Sequence, residues 1–232
     1  MDLFGGPDKS SESSPAQAPL AERVRPQELD DLVGQDEVIG PGTPLRRLLE
    51  EKRVPSLVLW GPPGSGKTTL ARLLAQHCHA RFMAHSAVLS GVKEIRHIVA
   101  MAEADARAGK SAPVVFIDAI HRFNKIQQDA FLPHVEKGTL ILVGATTENP
   151  SFELNGALLS RCQVFVLKRL DEAAMGELLR RAEADAGRAL PLDSEARTAL
   201  VAMADGDGRY LLNLAEEIFA LPEAATLDTQ SL

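Results

Sequence analysis

A glycine-rich segment, Gly61 to Thr68, has the residue types and spacing that suit a triphosphate. It follows the apolar run Leu57–Trp60, typical of a strand, and precedes Thr69–Ala75, whose apolar residues recur at helical spacing. An ordinary tight turn is the alternative, but glycines that turn backbone N–H groups inward, next to a helix N-terminus, favour phosphate binding. We predict an ATP loop in which Lys67 contacts the β- and γ-phosphates and Thr68 ligates magnesium. Its nucleotide contacts are Gly61, Pro62, Pro63, Gly64, Ser65, Gly66, Lys67, Thr68 and Thr69.

A second chemical feature is the pair Asp118 and Ala119, which follows the apolar run Val114–Ile117. The run predicts a buried strand, and ligands of parallel sheets collect at the carboxyl ends of strands, so Asp118 is expected to hold magnesium, usually through water. In nucleotide hydrolases built this way, the next residue is usually a glutamate that orients the attacking water. Ala119 has no carboxylate for this task, so we expect ATP binding with very slow hydrolysis.

The remaining pattern indicates an α/β fold followed by helices. Further strands are predicted at 80–84, 139–144 and 163–167, and helices at 44–51, 92–108 and 127–136. Because strands alternate with helices, we predict a parallel sheet with flanking helices. From Asp171 the strands stop, and three helices are predicted to start at Asp171, Asp193 and Gly208. The predicted organisation is a flexible segment over 1–18, an α/β ATP-binding domain over 19–168 and a helical domain over 169–232.

Composition limits the functional classes. The 232 residues are 45% hydrophobic and 25% charged, enough for a sizeable core. The net charge of −7 lacks the usual electrostatic footprint of DNA binding, so any DNA contact must come from a local patch or an assembled pore. Two distant cysteines fit a reducing cytoplasm, and His77-Cys78-His79 lacks a second ligand pair, which favours a helix over a metal site. No signal peptide or membrane-spanning run is predicted.

Several stretches resemble the AAA+ ATPases, and more narrowly the replication-associated recombination protein A family, to which the eukaryotic Werner helicase-interacting protein is related. The resemblance covers about residues 19 to 220 and implies a P-loop AAA+ sheet with a small all-α lid. The His-Arg-Phe-Asn and Thr-Thr-Glu-Asn-Pro-Ser-Phe phrases are the narrowest matches. The matching stretches are 19–26 with 33–35, the phosphate loop, 121–125 through 129–133, 144–152 and 158–162.

The resemblance implies roles for residues on the nucleotide itself. Val33, Gly34 and Gln35 resemble the segment that lines the adenine pocket with backbone groups, although a simple helix start is the alternative. Thr147, with Thr146 as the less favoured choice, resembles sensor 1, which can hydrogen-bond the γ-phosphate or the lytic water. Either threonine has the alternative of merely ending a strand.

Two arginines resemble residues that reach the triphosphate from elsewhere. Arg161 resembles the arginine finger, which contacts the ATP of an adjacent subunit; a surface salt bridge is the alternative. Arg209 resembles sensor 2, the lid residue that contacts the γ-phosphate within the same subunit; an ordinary helix start is the alternative.

The chain departs from the family in two ways. Ala119 replaces the family glutamate while every other matched catalytic position is kept, which favours an engineered trap and leaves a natural variant open. The family also continues beyond the lid into a helical region that drives oligomerisation. On that basis we expect a truncated piece, with a lid incomplete at its C-terminus as one alternative, and homo-oligomers that are weak or absent.

The implied function is a cytoplasmic, nucleoid-associated, DNA-dependent ATPase of replication, repair and recombination. It would act on forked DNA or single-/double-strand junctions, alongside the single-stranded DNA-binding protein. Leu3 and Phe4 resemble the end of peptides that dock into sliding clamps, with a disordered start as the alternative. A nucleotide-gated binding module without turnover is a competing function. Clamp-loader-like and RuvB-like branch-migration ATPases are others, against which the two narrow phrases argue.

Overall fold

A five-stranded parallel sheet forms the centre of the α/β part of the molecule. The computed structural model describes residues 18–221 and 227–229. The strands are β1 (Leu57–Trp60), β2 (Phe82–Ser86), β3 (Val114–Asp118), β4 (Ile141–Thr146) and β5 (Gln163–Val166). They lie in the order β2-β3-β4-β1-β5, and every neighbouring pair is parallel. The predicted parallel α/β sheet is therefore confirmed.

Helices precede, connect and follow the strands. Short 3-10 turns occupy Leu29–Asp31 and Ile120–Arg122. The helices are α1 (Leu20–Arg23), α2 (Asp36–Ile39), α3 (Pro44–Glu50), α4 (Lys67–His77), α5 (Val92–Arg107), α6 (Lys125–Asp129), α7 (Leu132–Glu136), α8 (Pro150–Glu153), α9 (Gly156–Leu159), α10 (Glu172–Ala186), α11 (Ser194–Ala204) and α12 (Gly208–Ala220).

Each face of the sheet has its own apolar core. On one face, Phe116 of β3 belongs to a buried cluster with Leu74 of α4. On the other face, Ile117 belongs to a cluster with Ile98 of α5. Successive strand residues point to opposite faces, and both faces are covered, which explains why the strands read as continuous apolar runs. The ends of the strands are left to carry polar groups.

The helices α10 to α12 pack around a third core. Asp171, Asp193 and Asp207 each accept a backbone N–H with the side chain and so cap these three helices. The helix starts predicted at Asp171 and Asp193 are confirmed. Leu20 of α1 is fully buried in this same core, so the chain just before the α/β part packs against the helices that follow it.

The predicted continuous helix from Gln127 to Glu136 is wrong. It is two helices, α6 and α7, separated at Ala130 and Phe131. Pro133 has no backbone N–H, and it lies in the first turn of α7, where no such donor is needed. Proline therefore marks a new helix start within an otherwise helical pattern.

Two predicted strands lie two residues further along the chain than expected. The run predicted at 80–84 is β2, and the run predicted at 139–144 is β4. The register gives the reason, since Phe82 and Ile141 both pair with Val114, the first residue of β3. Strand pairing, which the single sequence does not show, sets where each strand begins.

Some predictions fall outside the described residues. These are the flexible segment 1–18, except for Ala18, and the pair Leu3 and Phe4. Within the described ranges, no helix is long and apolar enough to cross a membrane.

Candidate nucleotide-binding site

The loop between β1 and α4 folds around its own lysine. The Lys67 ammonium donates hydrogen bonds to the carbonyl oxygens of Gly61 at 2.8 Å and Pro62 at 2.7 Å. Gly64 and Gly66 have φ angles of 64° and 94°, a left-handed region that glycine enters without steric cost. Gly66 directly precedes α4, so the loop leads into the N-terminus of a helix.

The electrostatics around Lys67 suit an anion. Burial lowers the pKa of Lys67, and the charge of Arg209 lowers it further, whereas Asp118 and Asp207 act in the opposite direction. A phosphate beside the ammonium would favour its charged form. The loop therefore holds a partly desolvated cation that gains from an added negative group.

A cavity of about 640 Å³ opens on the loop. This volume lies within the roughly 300–1,000 Å³ that is usual for small-molecule sites. The predicted site residues that line it are Val33, Pro63, Gly64, Ser65, Gly66, Lys67, Thr68, Thr69, Asp118, Thr147 and Arg209. Gly61 and Pro62 do not line the cavity, but their carbonyl groups hold Lys67. The structure thus brings together residues from three strand ends and from the helical part.

The two residues predicted to hold magnesium both line this cavity. The Thr68 side chain lies on the first turn of α4, and Asp118 ends β3 with an exposed side chain. A hydroxyl and a carboxylate are hard donors of the kind that Mg²⁺ prefers, with water completing its shell. The two residues therefore fit the predicted metal position.

Ala119 adopts a left-handed backbone conformation, with φ 53° and ψ 44°. Its N–H donates a hydrogen bond of 3.0 Å to Oδ1 of Asp118, so the backbone at this position steadies the carboxylate. Ala119 does not line the cavity, and its methyl group cannot accept a hydrogen bond. A water-orienting carboxylate is thus missing from position 119.

The two adjacent threonines at the end of β4 have different environments. Thr146 is 1% exposed, and its hydroxyl contacts Nδ1 of His121 at 2.9 Å and accepts the Glu148 N–H at 3.0 Å. Thr147 is exposed and lines the cavity. Because Thr146 is already engaged within the protein, Thr147 is the threonine available to a ligand.

The segment 33–35 divides between the cavity and the interior. Val33 lines the cavity, whereas Gly34 and Gln35 do not. Gln35 is 2% exposed, and its amide donates to the carbonyl oxygens of Ser65 at 3.1 Å and Lys168 at 2.9 Å. Its side chain therefore links parts of the protein.

The two predicted arginines lie in different places. Arg209, at the start of α12, is exposed and lines the cavity. Arg161 does not line it. The Arg161 guanidinium pairs with Glu136 and donates to the carbonyl oxygen of Ala157 at 2.7 Å. An arginine in this position would have to act on a site other than that of its own chain.

Arg25 and Glu22 also line the cavity, and the sequence predicted no role for either. Arg25 donates to Oγ1 of Thr69 at 3.0 Å and pairs with Glu22, which also pairs with Arg72. Burial acts to raise the pKa of Glu22, but the hydrogen bond and charge of Arg25, with the charges of Arg72 and Arg209, bring it below its usual value. Arg25 lies in a stretch that carries the family resemblance, which was the available signal.

Asp207 was also missed. It lines the cavity and caps α12, and it lies so close to the loop that a Cβ built on Gly64 would be 1.9 Å from its Oδ1. The Gly-Asp-Gly-Arg phrase before α12 was the sequence signal. The helical part therefore contacts the phosphate loop directly.

No metal cluster accompanies the site in the described part of the chain. No group of three or more His, Cys, Asp or Glu side chains is arranged to hold an ion there. In the His77-Cys78-His79 run, α4 ends at His77. Burial raises the pKa of Cys78, and raises that of Cys162 to about 11, which keeps both thiols protonated at neutral pH.

Residues 57–170 match the family model described as the ATPase family associated with various cellular activities (AAA). The chain is 53% identical over 212 residues to "Replication-associated recombination protein A" of Coxiella burnetii, a match that spans 88% of this chain and 48% of that protein. It is 45% identical over 201 residues to "ATPase WRNIP1" of Dictyostelium discoideum, over 85% of this chain and 23% of the relative. The chain thus spans about half the length of the first relative and about a quarter of the length of the second.

The fold is similar to that of a solved RuvB Holliday junction branch migration motor from Thermotoga maritima. The TM-score is 0.66 at 26% identity, over 83% of this chain and 64% of that one. Identity is thus about twice as high to replication-associated recombination protein A as to the RuvB motor. By its loop, its sheet and these similarities, the chain belongs to the AAA family of ATPases, and over most of its length it is similar to replication-associated recombination protein A and to ATPase WRNIP1.

Proposed function

We propose that this chain is the ATP-binding core of a DNA-dependent ATPase that acts at single-/double-strand DNA junctions during replication and recombination. The observation that carries the proposal is the single cavity on which the phosphate loop, Asp118, Thr147 and Arg209 converge. The DNA substrate is supported by the name of the relative that is 53% identical. In this proposal residues 19–168 form the ATP-binding domain and residues 169–232 the lid.

Each cavity residue has a part in holding ATP. Lys67 and the loop N–H groups bind the β- and γ-phosphates, with the dipole of α4 adding to the attraction. Thr68 and Asp118 would hold Mg²⁺, which neutralises charge on the phosphates when bound. Thr147 and Arg209 reach the γ-phosphate from β4 and from α12. Val33 and its neighbours would border the base.

Ala119 leaves the hydrolytic step without its water-orienting group. A positioned general base contributes typically about 10²–10⁴ in rate. ATP binding does not depend on that carboxylate, because the phosphate contacts come from charge and backbone N–H groups elsewhere. We therefore propose that this chain binds ATP and barely hydrolyses it.

The remaining partners are proposals of the same kind. Arg161 would act on the ATP of a neighbouring copy, so the working form would be a homo-oligomer. Single-stranded DNA-binding protein, and a sliding clamp bound through Leu3 and Phe4, would be further partners at the fork. The setting would be the cytoplasm, in association with the nucleoid.

Restoring glutamate tests the proposal. Ala119→Glu should raise phosphate release with forked DNA by about 10²–10⁴. Ala119→Gln is the matched control, because it has nearly the same shape and cannot act as a base, so its rate should stay close to that of the unmodified chain. Equal, substantial turnover by the alanine and glutamate forms would show that position 119 does not orient the water.

A second candidate is a nucleotide-gated binding module, which Ala119 specifically favours. In such a protein ATP sets the conformation and partner choice without turnover. The same experiment separates the two candidates. If the protein is a binding module, its Ala119→Glu variant would still not hydrolyse ATP, while its ATP-dependent DNA or protein binding persisted.

A further inference from the structure

Gln35 is a buried amide whose hydrogen-bonding groups serve two separate backbone segments. Its Nε2 donates to the carbonyl oxygen of Ser65 in the phosphate loop at 3.1 Å. The same nitrogen donates to the carbonyl oxygen of Lys168 at 2.9 Å, and Oε1 accepts the Lys168 N–H at 3.2 Å. The side chain therefore pairs with both backbone groups of Lys168 while it holds the phosphate loop.

Lys168 belongs to the segment Leu167–Leu170, which joins β5 to the helical part and which we call the connector. The connector has little freedom to shift. The Leu167 N–H donates to the carbonyl oxygen of Trp60 at 2.7 Å, immediately before the phosphate loop. A Cβ added to Gly61 would lie 2.4 Å from the carbonyl oxygen of Leu167, so the two backbones are in direct contact.

The far end of the connector is held by glycines of the helical part and of the 33–35 segment. The Leu170 N–H donates to the carbonyl oxygen of Gly206 at 3.2 Å. A Cβ added to Gly34 or to Gly208 would lie 2.8 Å from a methyl group of Leu170. Gly208 in turn precedes Arg209, so a displacement of the connector must displace the start of α12.

The loop, the connector and Arg209 thus form one contiguous set of contacts, and Gln35 is the side chain that joins its first two parts. We propose that Gln35 is a positioning residue that couples the conformation of the phosphate loop to the position of Arg209, and thereby sets the preference of the site for ATP over ADP. This inference rests on the proposed function, in which Arg209 contacts the γ-phosphate. Gln35 does not line the cavity, so its side chain would act through these backbone contacts.

The test is a comparison of ATP and ADP affinity, by calorimetry with magnesium, for the full chain and its variants. Gln35→Met keeps the length and packing of the side chain and removes all three hydrogen bonds. Of these, the bond to the Ser65 carbonyl ties the phosphate loop to the connector, and net loss of one such bond corresponds to up to about a ten-fold effect. We expect ATP affinity to fall about ten-fold while ADP affinity changes less than about two-fold.

A double-mutant cycle with Arg209→Ala shows whether the effect passes through the arginine. If Gln35 positions Arg209, Gln35→Met should not change the ATP-to-ADP affinity ratio once Arg209 is alanine. Equal weakening of both nucleotides by Gln35→Met would overturn the inference, and so would additive effects of the two substitutions. An ATP preference that Arg209→Ala leaves unchanged would overturn it as well.

Gln128 offers a matched control. It is also 2% exposed, and its amide donates to the carbonyl oxygens of Phe123 at 2.9 Å and Glu153 at 3.2 Å and accepts the Asn155 N–H at 2.8 Å. Gln128→Met loses the same three kinds of bond away from the cavity. It should lower the unfolding temperature as Gln35→Met does, and leave the ATP-to-ADP affinity ratio unchanged.

Two further arms keep the outcomes distinct. If Gln35→Met fails to fold, Gln35→Leu replaces it, since it also removes all three hydrogen bonds and adds no charge at this buried position; the same loss of ATP preference is expected. If the unmodified chain binds neither nucleotide, the proposed function fails. If it binds ATP with an Arg209-dependent preference that the Gln35 variants retain, only the coupling role fails.

Discussion

The loop after β1 and the turn after β3 lie at the carboxyl ends of strands that are separated only by β4. In the loop, the Lys67 ammonium donates to two carbonyl oxygens, and the Gln35 amide donates to the carbonyl oxygen of Ser65. In the turn, Asp118 is steadied by the N–H of Ala119, but the side chain at 119 is a methyl group. The loop carries the residues that we propose for phosphate binding, whereas the turn has no carboxylate at position 119.

This difference shows why binding and turnover can be separated in such a fold. The attraction for phosphates comes from backbone N–H groups, a helix dipole and a lysine, none of which depends on the side chain at position 119. In the proposed function, alignment of the attacking water requires a carboxylate at position 119. Because the two tasks would belong to different strands, we expect a change in one to leave the other intact.

The largest expected effect concerns Arg161, which does not line the cavity. An arginine finger contributes about 10³–10⁵ in rate in phosphoryl transfer. In the Ala119→Glu background, Arg161→Ala should therefore reduce phosphate release by this factor, while ATP affinity measured by calorimetry stays nearly constant. Arg180→Ala is the control, because Arg180 is likewise an exposed, ion-paired arginine and lies outside the cavity.

Mixing experiments show whether Arg161 acts between copies. A chain with Ala119→Glu and Arg161→Ala keeps its ATP site and lacks the finger, and a Lys67→Ala chain keeps the finger and lacks its ATP site. Neither should turn over ATP alone, and their mixture at high concentration should recover activity. Full activity of the Arg161→Ala form on its own would contradict a role for this arginine.

The next largest effect concerns the phosphate loop after β1. Charged hydrogen bonds are worth about 1.5–3 kcal/mol each, so losing the lysine contacts to two phosphates should weaken ATP binding by at least about 100-fold. Lys67→Ala is therefore expected to abolish measurable binding in calorimetry. Lys137→Ala, which removes an exposed lysine outside the cavity, should bind ATP normally. Normal binding by Lys67→Ala would remove the loop from the ATP site.

Much of this site was predictable because its signals are local. The phosphate loop lies between a strand and a helix that the apolar pattern marks, and Asp118 ends a run that is buried on both faces of the sheet. Asp171 and Asp193 announce helix starts because their side chains bond to N–H groups only three residues away. Each of these features is encoded within a short stretch of chain.

Side-chain partners that the sequence does not reveal depend on distant contacts. The role of Gln35 arises from Lys168, which lies 133 positions away, and nothing near Gln35 in the sequence indicates that contact. The choice between Thr146 and Thr147 depends on which one is bonded to His121, which only the packed turn reveals. Single-sequence patterns specify elements better than they specify side-chain partners.

The smallest expected effect concerns the backbone conformation of Ala119, in the turn after β3. A left-handed conformation costs a residue other than glycine roughly 1–2 kcal/mol. Glycine in turn lowers stability by about 0.4–1 kcal/mol, because it increases the conformational entropy of the unfolded chain. Since Ala119 has φ 53° and ψ 44°, Ala119→Gly should raise the free energy of unfolding by up to about 1.6 kcal/mol. Its ATP affinity and its low turnover should not change, since no functional side chain is lost.

Ala202→Gly provides the opposite case, since Ala202 is an exposed residue inside α11. Glycine at such a helical position lowers stability by roughly 0.5–1 kcal/mol. Urea unfolding of both variants should therefore shift the midpoint in opposite directions from the unmodified chain. If both substitutions lowered it equally, position 119 would not be left-handed in solution, and the N–H of residue 119 would not be placed to steady Asp118. The turn after β3 would then have lost its geometry as well as its carboxylate, and restoring glutamate there would not restore turnover.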